Sequence, residues 1–318
     1  MLQALRSCKL PRSLVLTFSN GRVWLTYRSR ESQIIVGCRI NRDPTNQIYE
    51  EYNLEVRYGG RAKSSEPPAL IEFQDRLYIF WKASVGARPG DIVYTSTEDG
   101  QDWTDIQRIT GFQTKSPPAV ATFGGFLFVA SLANEALPAR ILITSTDNAS
   151  SWSSPTTQEF AGLPVAKSIY APAFTVYGKR LTMYWSGEYD TVYTAPISVE
   201  GINAAKEPIT NNVATYAAEK IVAGKWQTKI GNALVYRCEQ QWIITTTRDG
   251  EISIATHDDF GTRSNLTDQE PKAKSGNRVG ACIIPGFFGR RNSMPWTLVL
   301  VYRGFGNDST LKELYITL

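Results

Sequence analysis

The chain has little of the chemistry that marks the common enzyme classes. Its 318 residues include a single histidine, His257, and four widely separated cysteines. The cysteines lack the paired spacing of a zinc site or a CxxC redox motif, so we predict free thiols, no metal site and no cofactor. The sequence contains no HExxH motif, P-loop or GxGxxG dinucleotide fingerprint. A Ser-His-Asp triad could use only His257, and these motifs therefore assign no catalytic residue.

Long apolar runs and a strong charge bias are also missing. No segment approaches the roughly 20 apolar residues that a membrane span needs. The segment from Met1 to Arg12 carries cations but no apolar stretch of the kind found in secretory signals. We therefore expect no membrane span, and either a cytoplasmic location or export by a non-standard route. A formal net charge of +4 is too small to indicate a nucleic acid partner, and the sequence leaves the oligomeric state open.

Turn-forming and strand-forming residues are abundant. Of all residues, 42% are hydrophobic, and the chain holds 24 glycines and 16 prolines. This composition is typical of many short strands separated by turns and allows a sizeable core. We predict an all-β fold.

An internal repeat organises these strands. The segment Pro67-Pro68-Ala69-Leu70 recurs as Pro117-Pro118-Ala119-Val120 and as Ala171-Pro172-Ala173-Phe174, at a period of about 50 residues. Looser copies begin at Arg12, Gly231 and Val279, and two further apolar strands follow each copy. The chain thus contains six similar units.

Units of this size bury both faces by stacking around an axis. We predict a six-bladed β-propeller formed by a single domain, residues 1–318, with blades beginning near residues 12, 66, 116, 170, 230 and 278. The last unit ends with its third strand, so residues 1–10 should supply the outer strand that closes the last blade. A pair of β-sandwich domains is the alternative, but no linker divides the chain. A short helix or an excursion is expected within Ala204–Ala223.

Two acidic turns follow the third strands of the second and third units. Each places a serine seven residues before a tryptophan, in the pattern Ser-x-Asp-x-Gly-x-Thr-Trp. The first copy has Ser96, Glu98, Gly100 and Trp103. The second has Ser145, Asp147 and Trp152, with Ala149 in the glycine position. This pattern resembles the Asp-box, or BNR repeat, of the sialidase-like β-propeller superfamily.

The resemblance implies a structural role for these turns, on the face opposite the substrate. The acidic side chain can accept hydrogen bonds from turn amides, glycine permits a positive φ, and the tryptophan can pack back against the blade. We therefore look for function at the other face.

Cations and aromatic residues gather in the loops predicted at that other face. Loops leading into first strands each carry a cation, and loops between second and third strands carry residues such as Trp81-Lys82, Glu135 and Arg140. Clustered cations favour an anion, and aromatic faces suit a sugar ring. The predicted ligand-binding residues are Arg12, Arg28, Lys63, Glu66, Trp81, Lys115, Lys167, Tyr170, Trp185, Lys229, Arg278 and Arg303.

We interpret the chain as a carbohydrate-binding, lectin-like propeller whose partner is an acidic or otherwise anionic glycan. The superfamily resemblance also implies an alternative, a sialidase-type glycoside hydrolase, which would need an arginine trio, a tyrosine nucleophile and an acid. Arg12, Arg278, Arg303, Tyr170 and either Glu66 or Asp91 could serve those roles. The family's Arg-Ile-Pro signature is absent, however, and lysine does not replace a bidentate arginine. A protein-interaction scaffold is a third hypothesis.

Overall fold

The computed structural model describes most of the first half of the chain and the strands of the second half. The described residues are 14–19, 22–28, 31–39, 49–86, 88–157, 160–161, 166–177, 180–186, 192–197, 214–217, 219–221, 232–237, 240–246, 251–256, 264–265, 279–284, 297–303 and 311–317.

The first three sheets are antiparallel meanders, in which each strand pairs with the next one along the chain. Sheet 1 contains β1 (Leu14–Ser19), β2 (Arg22–Arg28), β3 (Ile34–Arg39) and β4 (Tyr49–Asn53), and the short helix α1 (Leu54–Tyr58) follows it. Sheet 2 contains β5 (Ala69–Phe73), β6 (Arg76–Lys82), β7 (Asp91–Thr97) and β8 (Gln107–Gln113). Sheet 3 contains β9 (Ala119–Phe123), β10 (Phe126–Leu132), β11 (Ala139–Thr146) and β12 (Thr156–Thr157).

The other three sheets repeat the meander, with more irregular connections. Between sheets 3 and 4 lie β13 (Phe160–Ala161) and β14 (Lys167–Ser168), and β14 pairs with β11. Sheet 4 contains β15 (Ala173–Tyr177), β16 (Arg180–Ser186), β17 (Val192–Ile197) and β19 (Glu219–Ile221), while β18 (Ala214–Ala217) runs parallel to β13. Sheet 5 contains β20 (Asn232–Arg237), β21 (Gln240–Thr246), β22 (Ile252–Thr256) and β23 (Ser264–Asn265). Sheet 6 contains β24 (Gly280–Ile284), β25 (Thr297–Arg303) and β26 (Leu311–Thr317).

The first strands of the six sheets form a closed ring. Going around it, β1 packs against β5, β5 against β9, β9 against β15, β15 against β20, and β20 against β24. The ring closes because β24 in turn packs against β1. Each sheet is therefore one blade, and the predicted six-bladed β-propeller is confirmed.

Successive side chains of a strand point to opposite faces, so each blade contributes to two cores. On β6, Leu77, Ile79 and Trp81 belong to the core shared with blade 1. Tyr78 and Phe80 of the same strand belong to the core shared with blade 3. The cores thus lie between blades, and neighbouring blades hold each other in place.

Two sequence expectations concern connections. Within Ala204–Ala223, the described residues form β18 and β19 and no helix, and β19 provides the outer strand of blade 4. Blade 6 has three strands among the described residues, and the segment predicted to complete it, residues 1–10, lies outside them. No helix in the described part is both long and apolar enough to cross a membrane.

Candidate functional site

At one end of the sheets, blades 2 and 3 make nearly identical turns after their third strands. In blade 2, Thr97 Oγ1 accepts a hydrogen bond from the Gly100 amide at 2.9 Å. Asp99 Oδ1 accepts from the amides of Gln101 and Asp102, at 2.8 and 2.9 Å. These bonds favour the ionised form, so the amides of Asp102 and Gln101 lower the pKa of Asp99.

The turn of blade 3 uses the equivalent residues. Thr146 Oγ1 accepts from the Ala149 amide at 3.0 Å. Asn148 Oδ1 accepts from the amides of Ser150 and Ser151, both at 2.8 Å. In blade 3, the neutral side-chain oxygen of Asn148 therefore replaces the carboxylate oxygen of Asp99, and the hydrogen bonds of the turn stay the same.

The acceptor of each turn is one residue later than the sequence pattern predicts. Glu98, in the pattern's acidic position, is 72% exposed and forms a salt bridge with Arg76. Asp147, its counterpart in blade 3, is exposed and offers its main-chain oxygen to Gln74 Nε2 at 2.7 Å. The expectation that Glu98 and Asp147 accept the turn amides is therefore wrong, because Asp99 and Asn148 are closer to those amides in the chain and accept them.

The two tryptophans pack as expected. Trp103 is buried, and its Nε1 donates to the Gly100 carbonyl at 3.1 Å. Trp152 is half-buried and meets Phe80 and Tyr94 of blade 2 edge to face. Ser96 and Ser145 are also buried, whereas Asp99 and Asn148 are exposed.

At the opposite end, the loops into the first strands of blades 2 to 4 meet the segments that connect second and third strands. Ser84 donates its amide to the Lys63 carbonyl at 3.1 Å, in blade 2. The Lys115 amide donates to Leu132 at 3.1 Å, and the Ile141 amide donates to Ala166 at 3.0 Å. The two kinds of loop that the sequence places at one face are thus in contact around blades 2 to 4.

One hydroxyl marks the same structural position in three of these loops. Ser64, Thr114 and Ser168 each donate from the side chain to the carbonyl two residues later, at 2.6, 3.1 and 2.7 Å. Lys63 and Lys167 precede this hydroxyl, whereas Lys115 follows it. The lysines of these three loops therefore occupy two different positions relative to the hydroxyl.

Four cations form a row across blades 2 to 4, which we call the cationic row: Lys82, Lys115, Arg140 and Lys167. Lys82 Nζ donates to the Lys115 carbonyl at 3.3 Å, and Lys115 Nζ donates to the Glu135 carbonyl at 2.9 Å. Arg140 and Lys167 are directly opposite each other where β11 pairs with β14. Lys115 is linked to Arg140 through Glu135, and the row crosses the boundaries between blades 2 and 3 and between blades 3 and 4.

Glu135 is the carboxylate that balances part of this charge. Its Oε2 lies 2.9 Å from Arg140 Nη2, and Oε1 accepts from the Arg140 amide at 2.7 Å. The hydrogen bonds from Arg140 lower the pKa of Glu135 and raise that of Arg140, and the charge of Lys167 lowers the Glu135 pKa further. Both members of the pair therefore stay charged at neutral pH, and the row keeps an excess of positive charge.

The propeller is shared with known lectins and a sialidase. AofleA from Arthrobotrys oligospora superposes with a TM-score of 0.65 at 8% identity, over 99% of this chain and 85% of that chain. The Aleuria aurantia lectin, a six-bladed β-propeller that recognises fucose, gives a TM-score of 0.62 at 10% identity, over 99% and 93%. The Hadza microbial sialidase Hz136 gives 0.64 at 13% identity, over 100% and 68%.

This chain therefore shares the propeller fold of these three proteins. At such low identities, the likeness concerns the fold alone. No family model and no curated protein matches the chain by sequence.

The predicted ligand-binding residues fall into three groups. Lys115 and Lys167 are exposed in the cationic row, while Lys63, Glu66 and Tyr170 are half-buried in the loops beside it. Glu66 and Tyr170 occupy the same position, two residues after the hydroxyls of Ser64 and Ser168. Arg12, Lys229 and Arg278 lie outside the described residues, as does the side chain of Arg303.

The third group is buried. Trp81 is fully buried in the core between blades 1 and 2, and Trp185 is buried and stacks on Tyr193 at a centroid distance of 5.6 Å. Arg28 is 7% exposed, and its Nη1 donates to Ser32 Oγ at 3.5 Å. These three side chains pack between strands and present little surface to a ligand.

Sequence reasoning left Lys82 and Arg140 out of the predicted set. Lys82 ends β6 and Arg140 lies near the start of β11, beside the loop that the repeat places at this face, and Arg140 is near the acidic Glu135 in the chain. The two-residue period of the strand would have indicated Lys82. Trp81 points into the core shared with blade 1, so the next residue of β6, Lys82, points to the opposite face of the blade.

Proposed function

We propose that this chain is a carbohydrate-binding, lectin-like propeller that recognises an anionic glycan at the cationic row. The observation that carries the proposal is the row formed by Lys82, Lys115, Arg140 and Lys167, in which one carboxylate, that of Glu135, pairs with Arg140. Three of these cations are exposed, and Lys82 is half-buried. Clustered positive charge of this kind raises the local concentration of anions and forms charge-assisted hydrogen bonds with them.

We further propose that the turns at Ser96–Trp103 and Ser145–Trp152 are Asp-box turns, with Asp99 and Asn148 as their amide acceptors. The matched hydrogen bonds and the packing of Trp103 and Trp152 support this assignment. The packing of the two tryptophans between blades supports a structural role, and it leaves the opposite end of the blades for the ligand.

The proposal predicts that removing two charges from the row weakens glycan binding. In the variant with Lys115→Gln and Lys167→Gln, affinity for an anionic glycan should fall by at least about fivefold, as expected for two solvent-exposed charge contacts. The measurement is a glycan array followed by titration of the best anionic ligand.

A matched control removes two cations beside the Asp-box turns, Arg57→Gln with Arg76→Gln, and should leave the affinity unchanged. Arg57 donates to the Trp103 carbonyl and Arg76 pairs with Glu98, so neither lies in the cationic row. An array without any bound glycan, or equal losses in the two double variants, would refute the proposal.

The alternative activities give different outcomes. A sialidase-type hydrolase would release the fluorophore from a sialyl reporter, and Arg278→Ala would abolish that release. A protein-interaction scaffold would retain its partner after glycosidase treatment and in excess free sugar. Neither outcome is expected of a lectin.

A further inference from the structure

The arginine of the cationic row is already committed to an internal partner. Its Nε donates to both carboxylate oxygens of Glu135, at 3.1 and 3.0 Å, while Nη2 lies 2.9 Å from Oε2. These nitrogens belong to the planar fork with which a guanidinium grips a carboxylate. A carboxylated ligand would have to compete with Glu135 for Arg140.

The three lysines have donors left. An ammonium group carries three N–H bonds, and Lys82 and Lys115 each use one of them on a main-chain carbonyl. Lys167 Nζ has no hydrogen bond within the described part of the chain. Such compact charges suit the several equivalent oxygens of a tetrahedral oxyanion and do not need planar geometry.

These lysines are distributed over three blades. Lys82 ends β6 in blade 2, Lys115 lies in the loop into blade 3, and Lys167 lies in the loop into blade 4. A linear ligand with an anionic group on successive residues suits charges spread over three blades better than a terminal sugar with one charge.

Two exposed aliphatic side chains lie in the loops that follow β6 and β10, and the second of these loops also holds Glu135. Leu137 is 52% exposed between β10 and β11, and Val85 is 38% exposed between β6 and β7. They are the large hydrophobic residues that the described part of the chain leaves exposed. Apolar side chains beside cations suit the C–H faces of sugar rings between charged groups.

We infer that the ligand is a linear glycan carrying several sulfate groups, bound along Lys82, Lys115 and Lys167, and not a single carboxylated terminal sugar. This inference rests on the proposed function and specifies its ligand class. Sulfate is preferred because the free donors are lysines and the arginine fork is occupied.

The test compares three probes with the full chain: a fully sulfated heparin hexasaccharide, sialyllactose, and a polyphosphate of matched charge. We expect the hexasaccharide to bind at least about tenfold more tightly than sialyllactose, with an affinity that falls steeply as salt rises. Polyphosphate should bind more weakly than the hexasaccharide, because it offers no sugar face to Leu137 and Val85.

Two variants locate the contact. The triple change Lys82→Gln, Lys115→Gln and Lys167→Gln should lower hexasaccharide affinity by about tenfold or more and flatten its salt dependence. The matched change of the same residues to Arg keeps the charges and should retain affinity within about threefold of the wild type. Unchanged thermal unfolding shows that each variant is folded.

The outcomes separate the two proposals. If sialyllactose or a neutral glycan binds and the hexasaccharide does not, the sulfated ligand is wrong while glycan binding stands. If polyphosphate binds as tightly as the hexasaccharide, the site recognises bare charge, and the inference also fails. If no glycan binds, both proposals fall.

Discussion

At the scale of single residues, the turn of blade 2 is shaped by the tryptophan of the preceding blade. Gly100 has a φ of 87°, a conformation that L side chains rarely adopt. A Cβ at this position would lie 2.0 Å from Trp24 Cη2 in blade 1. In blade 3 the equivalent Ala149, with a φ of 55°, is accommodated beside Tyr78 and Tyr94. The identity of the residue at this turn position therefore depends on the neighbouring blade.

Gly100→Ala should destabilise the protein by about 2–5 kcal/mol, combining about 1–2 for the positive φ with about 1–3 for the overlap with Trp24. Urea unfolding measures the loss. The matched control is Gly124→Ala, where φ is 58° and nothing lies within 4 Å of the added Cβ. That variant should show the conformational cost alone, about 1–2 kcal/mol. Equal losses of stability in the two variants would mean that contact with Trp24 is not what requires glycine at position 100.

Asp99 should make stability depend on pH. Because its pKa is lowered on folding, its contribution is present above the unfolded value, near 3.8, and is lost as the pH falls through the folded value. The stability difference between the wild type and Asp99→Asn should therefore exist at pH 7 and shrink as the pH falls below about 3.8. Urea midpoints across this range provide the measurement.

The turn of blade 3 offers the reverse experiment. Asn148→Asp places a carboxylate on the same two amide donors and should add a stability loss on acidification. A wild-type minus Asp99→Asn difference that stays constant from pH 7 to 2 would show that the turn amides do not favour the ionised form.

At the scale of elements, blades 2 and 3 are joined through the hydroxyl of Tyr94. The hydroxyl donates to the Ala149 carbonyl at 2.6 Å and accepts from Trp152 Nε1 at 3.2 Å. Burial raises the pKa of Tyr94, so its proton stays in place through neutral pH. Tyr94 of β7, in blade 2, thus holds the turn that follows β11 in blade 3.

Tyr94→Phe should destabilise by about 1–3 kcal/mol, because the ring contacts remain while the buried Ala149 carbonyl loses its donor. Combining it with Trp152→Phe gives a double-mutant cycle, and we expect the two changes to be coupled by about 0.5–1.5 kcal/mol. Full additivity in denaturant unfolding would show that the hydroxyl does not link Trp152 to Ala149.

At the scale of the whole molecule, the ring could be predicted because strand segments recur in the sequence. Pro67-Pro68 and Pro117-Pro118 mark the same place before first strands β5 and β9, and Ala171-Pro172 marks it before β15. The strand predicted to close blade 6 from residues 1–10 stays a prediction.

The site was less predictable because it depends on side-chain direction and on loop folding. Residue type alone suggests an exposed Trp81, whereas its position on β6 turns it into the core. Similarly, Lys115 resembles Lys63 and Lys167 in the sequence, but the hydroxyl of Thr114 shows that it occupies a different position in the loop. The pairing of Arg140 with Glu135 arises from the fold of residues 133–140, which no local sequence rule gives.

The central claim is that an anionic glycan binds at the end of the blades opposite the turns around Trp103 and Trp152. The most direct measurement is a crystal structure of the protein soaked with the tightest anionic glycan from the array. We predict density within hydrogen-bonding distance of Lys115 and Lys167, extending toward Lys82. Density confined to the turns around Trp103 and Trp152, or to any surface away from the cationic row, would contradict the claim.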